Sequence, residues 1–86
     1  LGNALVEQGH AAEGEREMRE ALRQKPEMPE AHNDLGVLLA RGDRLDEAIA
    51  ALREAVRLKR GYADAHMNLA KALYLRGALE EAIQNL

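Results

Sequence analysis

The chain has 86 residues, a net charge of −3 and 47% hydrophobic residues. This length suits one small domain, and this hydrophobic share excludes a disordered tail. Because the sequence contains no Cys, Ser or Thr, it excludes disulfides, cysteine-type zinc sites, Ser, Thr or Cys nucleophiles and the phosphate-binding P-loop. No run of about 18 apolar residues is present, so we expect no insertion into a membrane.

Helix-forming residues dominate the composition. The chain contains 16 Ala, 14 Leu, 11 Glu, 9 Arg and 3 Lys, against 5 β-branched residues. The first group favours helices, whereas β-branched residues favour strands. The composition therefore predicts an all-α protein.

The sequence repeats itself every 34 residues, and residues 1–34 share 11 identities with residues 35–68. Most repeated positions are small or apolar, as a recurring packing scheme requires. We expect a first repeat over residues 1–28, truncated at its start, a second over 29–62, and a third over 63–86, truncated at its end.

Each repeat is expected to contain two helices separated by a turn. The first repeat is expected to begin inside its first helix, and His10 is expected in the following turn.

In the second repeat, apolar residues at a spacing near 3.6 predict helices over 29–41 and 45–59. Gly42 is expected to end the first of these, and Asp43 to cap the second. In the third repeat we predict a helix over 63–76, a break at Gly77 and a second helix from Leu79.

Small residues recur where paired helices should approach most closely. Gly36 and Ala48 are expected to be buried at one helix crossing, because a larger side chain there would push the two axes apart. A single repeat cannot bury both of its faces, so neighbouring repeats must stack.

This pattern resembles the tetratricopeptide repeat. The matching residues are Leu35-Gly36, Leu39, Ala48, Leu52 and Ala55 in the second repeat, and Leu69-Ala70, Leu73, Gly77, Ala82 and Leu86 in the third. The resemblance covers the whole chain as about two and a half repeats, and it implies a right-handed α-solenoid of antiparallel helix pairs. His32 and His66 depart from the family pattern, which often has Trp or Tyr there, and Arg60 replaces the usual closing Pro.

The resemblance implies a protein–protein interaction module or scaffold that binds a peptide or partner protein in a concave groove. The first helix of each pair would line that groove. The candidate peptide-binding residues are Asn3, Asn33, Asp34, Val37, Arg41, Met67, Asn68, Lys71 and Tyr74. The alternative is a solvated inner surface that binds nothing.

Asn68 resembles the groove asparagine in the repeats of O-linked N-acetylglucosamine transferase, where successive asparagines grip a peptide backbone. An amide side chain donates and accepts hydrogen bonds, as a peptide group does. The equivalent residue one repeat earlier is Asp34, which only accepts, so the ladder is interrupted. Alternatively, Asn68 caps or solvates its own helix.

We expect no cofactor, no metal and no nucleic acid. The three histidines do not occur at i, i+4 beside a set of carboxylate ligands. The basic residues between Arg53 and Arg60 are interleaved with Glu54, the chain is net acidic, and aromatic residues make up 2%, so platforms for stacking bases are missing. No carboxylate pair is marked as catalytic, and we expect no enzyme activity in this segment.

Two other roles stay open. The segment could be a substrate-recruiting arm of a larger enzyme such as a glycosyltransferase, or a self-assembling scaffold. Leu79, Ile83 and Leu86 share one helix face, which favours self-association through open repeat ends unless further repeats of a longer chain cover them. We expect a soluble protein, with the cytoplasm favoured.

Overall fold

The computed structural model describes the backbone of residues 2–84 and the side chains of residues 9–81 and 83. Within these bounds the chain forms four helices and no strand, which confirms the predicted all-α fold. The helices are α1 (Gly2–Gln24), α2 (Pro29–Arg41), α3 (Leu45–Leu58) and α4 (Ala63–Gln84).

Helices α2 and α3 form a hairpin whose bounds match the predicted helices of the second repeat to within one residue. Gly36 and Ala48 are both buried in it, as predicted. A Cβ atom added at Gly36 would lie 2.5 Å from Cγ of Leu52 and 3.3 Å from the backbone oxygen of Ala48. Only glycine lets the two helices approach this closely.

The turn between α2 and α3 corrects one prediction. Asp43, expected to cap α3, instead has a φ of 61°, in the left-handed region that Asp and Asn tolerate better than most residues. Because Asp43 closes the turn, Arg44 takes the N-cap position, without a side-chain cap. Gly42 has a φ of −91° and ends α2 through backbone hydrogen bonds to Leu38 and Leu39.

The other two helices pack on opposite sides of this hairpin. On one side, Met18 and Leu22 of α1 pack against a core cluster formed by Leu35, Leu39, Ala48 and Ala51. On the other, Leu69 and Ala72 of α4 pack with Ile49 and Leu52 of α3. The core of the protein therefore lies on the two faces of the α2–α3 hairpin.

Two predicted turns are absent. Helix α1 continues through His10, and α4 continues through Gly77, so Leu79 does not begin a separate helix. A glycine inside a helix costs about 1 kcal/mol relative to alanine, and a turn would leave backbone groups without helical partners. Arg76 also pairs with Glu80 across Gly77, with 3.6 Å between Nη2 and Oε1. These effects favour the straight helix.

Candidate functional site

Asn33 and Asn68 join α2 to α4. Nδ2 of Asn68 donates a hydrogen bond of 3.0 Å to Oδ1 of Asn33. Among the described side chains, Asn33 is the one buried polar residue, so this bond satisfies an acceptor that would otherwise be costly to bury. Asn68 is half-buried, and its own Oδ1 and second N–H are not used in this bond. It thus keeps the donor and acceptor that a peptide group needs.

A short stretch of α4 beyond Asn68 presents an open apolar surface patch. It is formed by Ala70, Lys71, Tyr74 and Leu75, which are all exposed. The Tyr74 side chain is 76% exposed, so its ring is available for contact. The patch offers apolar contact to a partner, with the Lys71 ammonium as its charged group.

The remaining candidate residues lie on both helices. Val37 of α2 is half-buried, while Asp34 and Arg41 of α2 and Met67 of α4 are exposed. Asn33, Val37 and Arg41 recur at every fourth residue and so share one face of α2. The structure brings Asn33 and Asn68 into contact, and it places Lys71 with Tyr74. The predicted residue Asn3 lies outside the described side chains.

Tyr62 belongs to this region and was missed by the sequence analysis. It precedes α4, and Nζ of Lys59 lies 4.9 Å from the centre of its ring. Burial, together with the carboxylates of Asp34, Glu30 and Asp64, raises the pKa of Tyr62, while a hydrogen bond with Asn33 acts in the opposite direction. The 34-residue register could have drawn attention to Tyr62. It aligns Tyr62 with Met28, and each of these residues directly precedes the first helix of its repeat.

Two equivalent histidines, His32 and His66, each form a hydrogen bond to the loop that precedes their helix. Nε2 of His32 donates to the carbonyl oxygen of Pro26 over 2.9 Å, and Nε2 of His66 donates to that of Arg60 over 2.7 Å. Both pairs are separated by six residues, so the contact recurs with the repeat. The acceptor is a backbone oxygen, which every residue has. The hydrogen bond is therefore kept in the later repeat, where Arg60 stands at the position that Pro26 holds in the earlier one.

The described residues contain no cluster of three or more His, Cys, Asp or Glu side chains placed to hold a metal ion. In the same part of the chain, no helix combines the length and apolar character needed to cross a membrane.

A family model described as tetratricopeptide repeat matches residues 1–63 and again residues 47–85. The chain belongs to the tetratricopeptide repeat family. No curated protein matches it. Together with the helices, the match shows a helical repeat protein of about two and a half repeats. Tetratricopeptide repeats generally mediate protein–protein interactions and are generally non-catalytic, which indicates a protein partner for this chain.

Proposed function

We propose that this chain binds an extended segment of a partner protein on its α2–α4 face. This face is defined by Asn33, Val37 and Arg41 of α2 and by Asn68, Lys71 and Tyr74 of α4. The observation that carries the proposal is the hydrogen bond between Asn68 and Asn33. It orients the Asn68 amide while leaving one donor and one acceptor to meet a peptide group, and the same helix carries an exposed apolar patch at Lys71 and Tyr74.

The charges on this face favour one orientation of a bound segment. Short connections join α2 to α3 and α3 to α4, so these helices alternate in direction and α2 and α4 run parallel. Near their N-terminal ends, Asp34 and Asp64 contribute negative charge around Tyr62. Further along, Arg41 and Lys71 contribute positive charge. A bound segment is therefore favoured when its basic side chains lie towards Asp34 and its acidic side chains towards Arg41.

Three glutamates do not suit general acid catalysis. Hydrogen bonds from arginines lower the pKa values of Glu15, Glu20 and Glu54. A carboxyl group that acts as a general acid near neutral pH needs a raised pKa instead. The same face could recruit a protein substrate if the segment serves a larger enzyme, and the binding chemistry would be unchanged.

Fluorescence anisotropy with an array of labelled peptides, each about ten residues long, tests the proposal. Asn68→Ala should weaken peptides of unrelated sequence by a similar factor of about five, since one hydrogen bond contributes about 1 kcal/mol. Arg41→Glu and Lys71→Glu should selectively weaken peptides that carry acidic residues, and added salt should reduce this selectivity.

Arg53→Glu is the matched control, because it reverses an exposed charge on α3, away from the proposed face. Melting temperatures of all variants separate lost binding from lost folding, which matters for Asn68→Ala because it removes the partner of buried Asn33. The proposal fails if a peptide bound by the wild-type chain is bound equally well by the Asn68, Arg41 and Lys71 variants.

A further inference from the structure

A groove rich in basic side chains lies where α3 ends and α4 begins. It is lined by Arg53, Val56 and Arg57 of α3, by Arg60 of the connecting loop and by His66 of α4. Val56 is half-buried, and the other four side chains are exposed. We call this surface the basic groove, and none of its residues belongs to the α2–α4 face.

The basic groove has a counterpart one repeat earlier. A second groove, the earlier groove, lies between α1 and the α2–α3 hairpin, and four of its residues fall 34 positions before residues of the basic groove. These four are Arg19, Leu22, Arg23 and His32. The position of Arg60 is held by Pro26, so the basic groove has one arginine more.

In the earlier groove, α3 supplies the matching surface. Its contribution is a face of four residues at i, i+3, i+4 and i+7, namely Glu47, Ala50, Ala51 and Glu54. Nη2 of Arg19 lies 3.3 Å from Oε2 of Glu47, and Ala51 belongs to the core cluster against which Leu22 packs. The earlier groove thus binds a helix that places alanines between two glutamates.

The basic groove lacks such an acidic partner. Of the residues that the structure describes, no Asp or Glu lines it. Arg57 pairs with Glu54 on its own helix, whereas Arg53 and Arg60 form no ion pair with any described side chain. The positive charge of the groove is therefore only partly matched within the protein, which favours a negatively charged ligand.

Exposure shows the same difference between the two grooves. His32 is half-buried in the earlier groove, and His66 is exposed in the basic groove. Leu39, which lines the earlier groove, is 2% exposed, whereas Leu73, which lies 34 residues later, is 40% exposed. The surface that α3 covers in one repeat is therefore open in the next.

We propose that the basic groove binds an acidic helix of a partner protein, in the way that the earlier groove binds α3. Glutamates on one face of that helix meet Arg53 and Arg60, and small residues between them pack on Val56. A hydrogen bond from His66 to the carbonyl oxygen of Arg60 holds the loop that presents this arginine. The inference concerns a different surface and a helical ligand, so it does not depend on peptide binding at the α2–α4 face.

Fluorescence anisotropy with a labelled helical peptide tests the proposal. The probe has about 20 residues, is held helical by a side-chain crosslink, and carries Glu-Xaa-Xaa-Ala-Ala-Xaa-Xaa-Glu on one face. We expect saturable binding that added salt weakens. Arg53→Glu should raise the dissociation constant at least about fivefold, because it sets a carboxylate against the glutamates of the peptide.

Arg60→Pro removes the additional charge of the basic groove with little disturbance of the backbone. Proline is the residue at this position in the earlier repeat, and its carbonyl oxygen can still accept the hydrogen bond from His66. Lys59 is extended, as the residue before a proline usually is. This variant should weaken binding of the probe about two- to fivefold, the effect of losing one exposed ion pair.

Arg16→Glu is the matched control on the protein, because Arg16 is an exposed arginine of α1 that lines neither groove. On the peptide, one control replaces both glutamates by Gln, and another moves them to opposite faces of the helix. Both control peptides should bind at least about fivefold more weakly than the probe. Melting temperatures of the protein variants show whether each remains folded.

Two variants distinguish this proposal from peptide binding on the α2–α4 face. Arg53→Glu should weaken the helical probe and leave the extended peptides of about ten residues bound, since these are too short to form a stable helix. Asn68→Ala should do the reverse. Either kind of binding can therefore fail while the other holds.

Four results would overturn the proposal. Equal binding of the Glu and Gln peptides would show that the groove does not select carboxylates. Equal binding of the peptide with opposed glutamates would show that charge attracts the ligand without a helix face. Binding that Arg53→Glu leaves unchanged would place the probe elsewhere on the protein. No binding of the probe at its highest soluble concentration would show that the basic groove does not accept an acidic helix.

Discussion

The α2–α3 hairpin and α4 have the same apolar pattern and different structures. In the hairpin, a turn at Asp43 lets α2 and α3 pack against each other, and their large apolar side chains are buried. In α4, the corresponding residue is Gly77, and the helix continues through it. The comparison teaches that a repeated pattern determines which residues are apolar, whereas a turn and a neighbouring surface determine whether they are buried.

The neighbours of the two regions differ as well. The hairpin is covered by α1 on one side and by α4 on the other. Among the described residues, α4 contacts α3 and α2, and its second half remains exposed. The hairpin should therefore hold most of the stability of the protein, while α4 contributes mainly through its first half.

The largest difference should appear when equivalent leucines are truncated. Leu39→Ala is expected to lower the free energy of unfolding by about 2–5 kcal/mol, because it opens a cavity in the core. Leu73→Ala should cost less than about 1 kcal/mol, since that side chain is 40% exposed. Urea denaturation measures both. Equal losses would contradict the structural difference between the hairpin and α4.

Sequence reasoning succeeded where local rules decide the structure. Apolar spacing and Pro29 predicted the bounds of α2 and α3, and the small residues Gly36 and Ala48 predicted the crossing. It failed at Gly77, because glycine permits a turn without imposing one, and whether a turn forms depends on the packing of both segments. It also placed the N-cap at Asp43, although this residue adopts the left-handed conformation that the turn requires.

The candidate site was only partly visible in the sequence. The 34-residue register and the family resemblance selected Asn68 and Lys71 on α4. The bond between Asn33 and Asn68 could not be predicted, because it depends on how α3 positions α2 beside α4. Tyr62 was missed because it lies in a loop, where no helical spacing marks it.

Alanine at the two turn positions should have opposite effects. Asp43→Ala is expected to destabilise the protein by about 1 kcal/mol, because alanine is disfavoured at a φ near +60° and lacks the local hydrogen bonding of Asp. Gly77→Ala should stabilise α4 by up to about 1 kcal/mol, since alanine is the better helix former. Thermal denaturation followed by circular dichroism compares the two. Destabilisation by Gly77→Ala would indicate that α4 bends there in solution.

The smallest effect should come from the ion pairs that hold α1 on the hairpin. Oε1 of Glu15 lies 2.6 Å from Nη1 of Arg44, and Oε2 of Glu15 accepts a bond of 2.9 Å from Nε of Arg19. Arg19 and Arg44 both reach Glu47 of α3 as well. The network thus links the second half of α1 to the hairpin.

Acid should weaken this link in a predictable direction. Hydrogen bonds from Arg19 and then Arg44 lower the pKa of Glu15 below its ordinary value of 4.5. A lowered pKa in the folded state gives stability that is present above the unfolded pKa and is lost as the pH falls through the folded pKa. The Glu15 side chain is 21% exposed and that of Arg44 44%, so the contribution should stay within about 0.2–1 kcal/mol.

Glu15→Gln should therefore lower stability slightly at about pH 7, and the difference from the wild-type chain should shrink as the pH falls through the lowered pKa of Glu15. Glu20→Gln is the matched control, because the partners of Glu20, Arg23 and Gln24, both lie within α1. Amide hydrogen exchange along α1 distinguishes the two variants. Glu15→Gln should speed exchange in the second half of α1 by loosening its contact with α3, whereas Glu20→Gln should leave that contact intact. Equal exchange in both variants would mean that apolar packing of Met18 and Leu22 alone holds α1 in place, without help from the ion pairs.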